Sequence, residues 1–301
     1  MSDASLSGWR ATGLIWSARH PVLEWSGPGG ATRTSPLPAG ADLAFACGPN
    51  RLCIGVWRSG ARRACPIAER IAAGARSAQC PACQALDRSS SIATDTRLTD
   101  PRPFCVYLAH HGSTIKVGIT AAERGDARLL EQGALASTIL STGTLLSGRR
   151  TEILITTALG LPDRVSSSRK RDARARPGSA GERAAELLAA AARTRQLAGW
   201  PAEQRQHPLQ VSDHTEAYHL PPGGLHPVAA LAALEPAAVV SGRTVCRIGT
   251  DLYLDAAPGL LLIDTRLLAG WALGRAAPGA AFTAALHPLD PRQAHDQDAL
   301  F

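Results

Sequence analysis

The chain has 301 residues and a formal net charge of +7, room for one large domain or two to three small ones, with a surface open to nucleic acid or other anions. Hydrophobic residues make up 45% but aromatic ones only 4%, so any core must be filled by Ala, Leu, Ile and Val. No run of about 18 uncharged apolar residues occurs, which excludes a membrane-spanning helix. The opening "MSDASLSGWRATG" lacks the basic-then-apolar pattern of a secretory leader. The expectation is a cytoplasmic protein with no membrane partner.

Residues 1–50 alternate short apolar groups with Gly and Pro ("TGLIW", "VLEWSG", "ADLAFACG"), the pattern of short strands and turns. Residues 51–103 form a Cys-rich segment. Seven cysteines in a reducing compartment point to metal or catalysis before disulfides. "AQCPACQAL" places Cys80 and Cys83 so that a tight turn brings two sulfurs to one zinc. Cys53 and Cys65 are the candidates to complete a closed, structural tetrahedron, with Cys47 able to replace Cys53. The neighbouring Arg51, Arg62, Arg63 and Arg76 would soften the charge of four thiolates. A set of small buried hydrophobes and a redox pair are the alternatives. Cys105 and Cys246 lie in strand-like runs and read as core.

Residues 104–165 read as a compact α/β unit. In "FCVYLAHHGSTIKVGIT", pairing Tyr107 with Gly118 and Ala109 with Lys116 leaves a loop at His111–Thr114. Val106, Leu108, Ile115, Val117 and Ile119 then share the core face, and Tyr107, Lys116, Gly118 and Thr120 the other. A slip of one residue would mix the two sets. "AAERGDARLLEQGA" spaces Arg124, Arg128 and Glu131 along one helix, with Gly133 ending it. After a short strand near Ser137–Ser141, "SGRRTEILITTALGLPDR" predicts a second helix capped by Ser147. Its buried stripe is expected at Ile153, Leu154 and Ala158, with Glu152 at the edge.

Residues 166–183, "SSSRKRDARARPGSAGER", carry dense positive charge and read as an exposed linker, either a solvated tether or a nucleic-acid-contacting arm. Lys116 and Lys170 are the only lysines among 32 basic residues. A helix over 184–200 is closed by Gly199. Residues 201–301 return to β-like runs before a polar tail expected to fray after Leu289. The two β-rich ends are expected to pair into one barrel around the middle unit. The four histidines between His207 and His226 lack ligand spacing and read as loop.

The order "VYL…KVGIT…R…E" resembles the core of the GIY-YIG endonuclease superfamily. Tyr107 matches the first-motif tyrosine. Lys116, Val117 and Gly118 match the second motif, with Lys in place of its tyrosine and no clear match to the late asparagine. Arg128 matches the helix arginine and Glu152 the metal-binding glutamate. Together with the Cys-rich segment, the same stretch resembles a bacterial family of actinobacterial type that joins a zinc-ribbon-like segment to a GIY-YIG-like domain.

The resemblance implies an α+β protein: a two-to-three-stranded antiparallel sheet with flanking helices, β-rich ends and a zinc segment. It implies catalytic roles for Tyr107, Lys116, Arg128 and Glu152, with Glu152 holding Mg²⁺ for phosphodiester cleavage and His110 or His111 at the hairpin tip assisting as base. Nucleic acid is the expected partner, with Arg124, Arg149, Arg150, Lys170 and Arg171 as phosphate contacts. A catalytically inactive, zinc-stabilised nucleic-acid-binding module and a regulatory protein without nucleic-acid contact are the alternatives.

Overall fold

The structure is a computed structural model that describes residues 8–58, 61–75, 77–90 (backbone alone at 88–90), 100–277 and 279–289. Arg76 and the polar tail beyond Leu289 lie outside the described residues. The chain divides into two compact units, one of Met1–Thr96 with His226–Phe301 and one of Arg97–Leu225. The second unit is therefore an insertion within the first. The helix expected at 184–200 and the following residues up to Leu225 belong to the inserted unit.

In the first unit, β1 (Arg10–Ser17), β2 (His20–Ser26) and β3 (Thr32–Pro36) form a three-stranded meander. β4 (Asp42–Arg51) follows, then the β5 (Val56–Arg58) and β6 (Ala61–Arg63) hairpin and helix α1 (Pro81–Ser90). The inserted unit contains β7 (Phe104–His111), β8 (Thr114–Ala121), α2 (Gly125–Glu131), β9 (Ala136–Gly143), α3 (Leu145–Leu159), α4 (Ser167–Ala175), α5 (Ala180–Arg195), β10 (Arg205–Gln206), β11 (Val211–Asp213) and the single turn α6 (Thr215–Tyr218). The first unit resumes with β12 (Ala229–Ala233), β13 (Val239–Ile248), β14 (Asp251–Ala256), β15 (Gly259–Asp264), β16 (Trp271–Arg275) and β17 (Ala285–Pro288).

The two β-rich ends do pair. β4 lies between β16 and β13 in a seven-stranded sheet ordered β16-β4-β13-β14-β15-β12-β17. That order runs from one edge strand to another, an open sheet among the described residues and not a closed barrel. The fold is mixed α+β with sheet predominating.

The inserted unit is built on β7, the central strand, paired antiparallel with β8 on one side and β9 on the other. The expected register is observed, Tyr107 opposite Gly118 and Ala109 opposite Lys116. The turn is tighter than expected: His111 pairs with Thr114, leaving only Gly112 and Ser113. Gly112 sits at φ 70°, the left-handed region where a side chain is strained.

One sheet face packs Val106, Leu108, Val117, Ala136, Leu140 and Ile155 with Leu187, Ala190 and Ala191, the last three from α5. The opposite face carries a smaller core of Tyr107, Ala109, Leu129 and Ala134. Every residue of β7 is buried, because helices cover both faces.

Helix α3 is capped by Thr144, which accepts from the Ser147 N–H, and not by Ser147 as expected. The buried face also differs from the expected one. Leu145, Gly148, Thr151 and Ile155 face inward, while Ile153 is 64% exposed. The stretch read as an exposed basic linker is largely helical: α4 has Ser166 as its N-cap and buries Arg174. Arg183 of α5 is buried too, held by Asp213 at 2.6 Å and by the carbonyls of Pro177 and Gly178. Charge density misled there, because an arginine with carbonyl and carboxylate partners can be buried.

Candidate functional site

The polar face of the β7–β8 hairpin converges on Gln132, at the C-terminal end of α2. The Gln132 Nε2 donates to the Tyr107 hydroxyl at 2.6 Å, and Lys116 Nζ donates to Gln132 Oε1 at 2.9 Å. Only a carbonyl oxygen can face an ammonium, so the amide orientation is determined. Lys170 Nζ, reaching in from α4, donates to the main-chain oxygen of the same residue at 2.8 Å. The two lysines of the chain, 54 positions apart in sequence, thus meet at one glutamine.

Gly118 makes this arrangement possible. A Cβ there would lie 2.4 Å from the Tyr107 hydroxyl oxygen, so the phenol occupies the space a side chain would fill. Tyr107 is 1% exposed and Lys116 8%. Burial pushes the Tyr107 hydroxyl above its ordinary value, against the downward pull of the Gln132 donor and the Arg128 charge. Burial and the Arg128 charge hold the Lys116 ammonium below its usual range, against the upward pull of Glu152 and Asp163. The Lys116 ammonium stands 5.8 Å from the centroid of the Tyr107 ring with Gln132 bridging the two, so Lys116 does not bind the phenol oxygen directly.

Arg128 and Glu152 complete the group. Arg128 projects from α2 with 45% of its side chain exposed, 3.7 Å from Glu131. Glu152 comes from the first half of α3. Burial and the charge of Asp163 raise its carboxyl, while Lys116 and Arg149 pull it down. Among the described residues its carboxylate makes no hydrogen bond or ion pair. The fields of Arg128 and Glu152 reach Tyr107 and Lys116, so four residues drawn from four elements surround one locus.

The expected phosphate contacts divide. Lys170 joins the locus through Gln132. Arg124 is tied to Glu131 at 2.6 Å on the surface. Arg149 acts on Glu152 electrostatically, Arg150 is exposed and Arg171 is half-buried.

The two histidines at the hairpin tip are not loop residues. His110 Nε2 lies 2.8 Å from Glu186, and its Nδ1 accepts from the Gly112 N–H. His111 is 2% exposed and neither ring nitrogen has a hydrogen-bond partner. Burial, then Lys170, Lys116 and Arg174, push its imidazole down to about 2. It is a neutral ring at any physiological pH.

Gln132 is the site residue that sequence reasoning missed. Its one signal is position: the last polar residue before Gly133, one helical turn after Arg128. Cys105 is buried, as expected, with its sulfur 3.4 Å from the Thr142 hydroxyl, which is 2.8 Å from His207.

In the first unit, Cys53, Cys65, Cys80 and Cys83 are all buried, and their sulfurs lie within 4.8 Å of one another. Cys65 and Cys80 sulfurs are 4.0 Å apart. Four sulfurs at about 2.3 Å from a tetrahedral zinc stand about 3.8 Å apart, so the donor set fits such an ion. The Cys53 sulfur accepts from the N–H groups of Gly55 and Cys80 at 3.4 and 3.2 Å, the bonding that steadies a metal-bound thiolate. Gly55 sits at φ 71°, and a Cβ there would meet the Arg63 carbonyl at 1.9 Å.

Cys47 lies apart in β4, its thiol pushed up to about 12 by burial, and does not replace Cys53. Two of the arginines expected to soften the cluster are occupied elsewhere. Arg51 donates to the carbonyls of Ala269, Ala72, Ala73 and Ala75, and Arg62 pairs with Glu24 at 2.9 Å.

Residues 46–273 match the family described as protein of unknown function (DUF2797). That match covers most of the chain and both units, and the chain belongs to this family. No curated protein and no solved structure matches. Among the described residues no helix is long and apolar enough to cross a membrane.

Proposed function

We propose that the chain binds nucleic acid in the cytoplasm and that its inserted unit acts on the phosphodiester backbone, with a structural zinc ion in the first unit. The observation that carries this reading is the convergence of Tyr107, Lys116, Arg128 and Glu152 around Gln132. Their order along the chain is that of the GIY-YIG endonucleases, which they resemble.

In this reading Arg128 binds a non-bridging phosphoryl oxygen and stabilises the charge that develops there. Lys116 supplies a second cation, oriented by Gln132. The Tyr107 oxygen accepts from Gln132, which leaves its own proton free to orient the attacking water. Glu152 would hold Mg²⁺, which keeps several waters and is commonly bound through one or two carboxylates. A half-buried carboxylate with no protein partner suits that role, and the ion would neutralise phosphate charge. Zinc held by four thiolates has no open position and would brace the fold.

Binding without cleavage is the second reading, favoured by the 1% exposure of Tyr107, which limits access of water to its hydroxyl. Cleavage of branched, single- and double-stranded substrates with Mg²⁺, by wild type and Glu152→Ala, tests the first. Activity in wild type and its loss in the variant are expected. Equal activity in both, or none on any substrate, rules out the nuclease. Salt-sensitive retention on nucleic acid without cleavage would establish the second reading. Absence of retention would leave a regulatory protein.

A further inference from the structure

A cavity of about 390 Å³ lies beside β9 in the inserted unit, where the chain passes from β10 to β11. It shares a sheet face with Tyr107. Cys105 and Tyr107 are alternate residues of β7, and across the ladder they pair with Thr142 and Ile139 of β9. Cys105, Thr142 and Ile139 all line the cavity, as do Ser137 of β9 and its ladder partner Ser212 of β11. Successive residues on one face of a strand stand about 7 Å apart, so the cavity begins one such step from Tyr107.

The lining is rich in hydrogen-bonding groups and poor in charge. The Ser137 hydroxyl lies 2.8 Å from His214 Nε2, and the Thr142 hydroxyl 2.8 Å from His207 Nε2. A hydroxyl is both a donor and a double acceptor, so each keeps unused capacity. Gln210 and Ser212 make no side-chain hydrogen bond among the described residues, which leaves a planar amide and a hydroxyl uncommitted. Ile139 and Pro208 add apolar wall. Asp126 is the one carboxylate, and no lysine or arginine lines the space among the described residues.

The cations stand instead at the Gln132 locus, where Lys116 and Lys170 meet and the Arg128 charge is felt. Positive charge at one place and neutral donors and acceptors one step away is the division that a nucleotide itself has, between its phosphate and its base. A phosphate in the cavity would find no cation. A wholly apolar ligand would bury the amide and hydroxyls without partners, which is costly.

We propose that this cavity receives one nucleobase, turned out of the stack, from the strand whose phosphate lies at the Gln132 locus. Gln210 and Ser212 bond the base edge, and Ile139 and Pro208 hold its faces. Single bases are read in this way when they are splayed out of a strand, and extrusion costs least where the nucleotide is already unpaired. The assignment rests on the nucleic-acid reading above and extends it to the form of the substrate: a strand with an unpaired nucleotide beside the phosphate that is bound.

Cys105 supplies the readout, because it is the one cysteine lining the cavity. Full-length, metal-loaded protein is treated with iodoacetamide, and modification of Cys105 is followed by peptide mass spectrometry, with Cys47 and Cys246 of the first unit as internal references. Homopolymeric DNA and RNA oligonucleotides are compared with an abasic oligonucleotide of equal length. Base-bearing strands at saturation are expected to suppress Cys105 modification, and the abasic strand to leave it unchanged. Gln210→Ala, at an exposed position, should weaken binding of base-bearing strands about 5- to 150-fold, the range of one bidentate base contact, and leave abasic binding as in wild type. If the thiol proves unreactive, the affinity ratio of base-bearing to abasic strands and its fall in Gln210→Ala decide the matter.

Equal protection by abasic and base-bearing strands, or equal affinity for them in wild type, overturns the base pocket while nucleic-acid binding stands. So does unchanged affinity in Gln210→Ala. Absence of binding to every oligonucleotide overturns the nucleic-acid reading and the pocket with it. Glu152→Ala is expected to keep the protection, so loss of cleavage and loss of the pocket are read separately.

Discussion

The cysteine cluster and the β7–β9 sheet solve the same problem with opposite materials. Around Cys53, Cys65, Cys80 and Cys83 the apolar support is Val56 and Ile71, and the segment between Cys53 and Cys83 has little regular structure beyond one short hairpin. In the inserted unit, two layers of aliphatic side chains clamp a strand that is buried along its whole length. The first arrangement offers four thiols that could hold an ion and little apolar support; the second coheres by itself and can therefore carry buried polar groups at its edge. Polar machinery that would destabilise a small cluster is tolerated where about 25 cal/mol per Å² of buried apolar surface offsets it.

The sharpest way to break that contrast is to remove the metal. Cys80→Ser, or a strong chelator, is expected to forfeit binding free energy on the order of 10 kcal/mol and to unfold the cluster while the inserted unit keeps its own transition. Calorimetry with zinc analysis reads this; a single unchanged transition in metal-free protein would erase the distinction between the units.

Acid should distinguish them next. His111 is neutral in the folded protein down to about 2, whereas an unfolded histidine takes a proton near 6.5. The unfolded state binds the extra proton throughout that window, so stability falls as pH drops below about 6.5. The limit is about 1.4 kcal/mol per pH unit for one group. Urea titrations of wild type and His111→Phe between pH 6.5 and 5, above the usual carboxylate range, should show a steeper fall in wild type than in the variant.

Smaller effects locate where the inserted unit stores its tolerance. Gly118→Ala drives a methyl group into the Tyr107 hydroxyl and should cost about 1–3 kcal/mol. Gln132→Leu leaves the buried Lys116 ammonium and Tyr107 hydroxyl without their shared partner, at about 1–3 kcal/mol, measured by urea unfolding. Arg124→Ala cuts only a surface ion pair with Glu131 and should stay within about 0.5 kcal/mol of wild type. A large loss there would mean that the surface, and not the two cores, holds the unit together.

The parts legible in the sequence were those governed by short-range rules. Period-two alternation with a glycine opposite a tyrosine sufficed for the β7–β8 register, and a CxxC pair with two further cysteines for the cluster. The start of α3 was misplaced because Thr144 and Ser147 both make plausible caps, and its buried face was misplaced because that face is chosen by packing on β7 and β8, where Ile155 meets Val106, Leu108 and Val117. α4 was read as linker because composition records charge and not the partners that neutralise it. Gln132 was invisible because its amide meets Tyr107 and Lys116 only once the end of α2 is docked on the β7–β8 hairpin. The pairing of β4 with β13 joins Ala46 to Val239, a contact that no local pattern encodes.

That pairing sets a timetable for the newborn chain. β4 leaves the ribosome early, but its partner on one side is β13 and on the other β16, and the whole inserted unit must be synthesised first. At about 5–20 residues per second, β4 waits on the order of ten seconds or longer with both backbone edges unpaired. The inserted unit, whose pairings are all internal, can finish folding during that delay. The seven-stranded sheet is thus the last part to close.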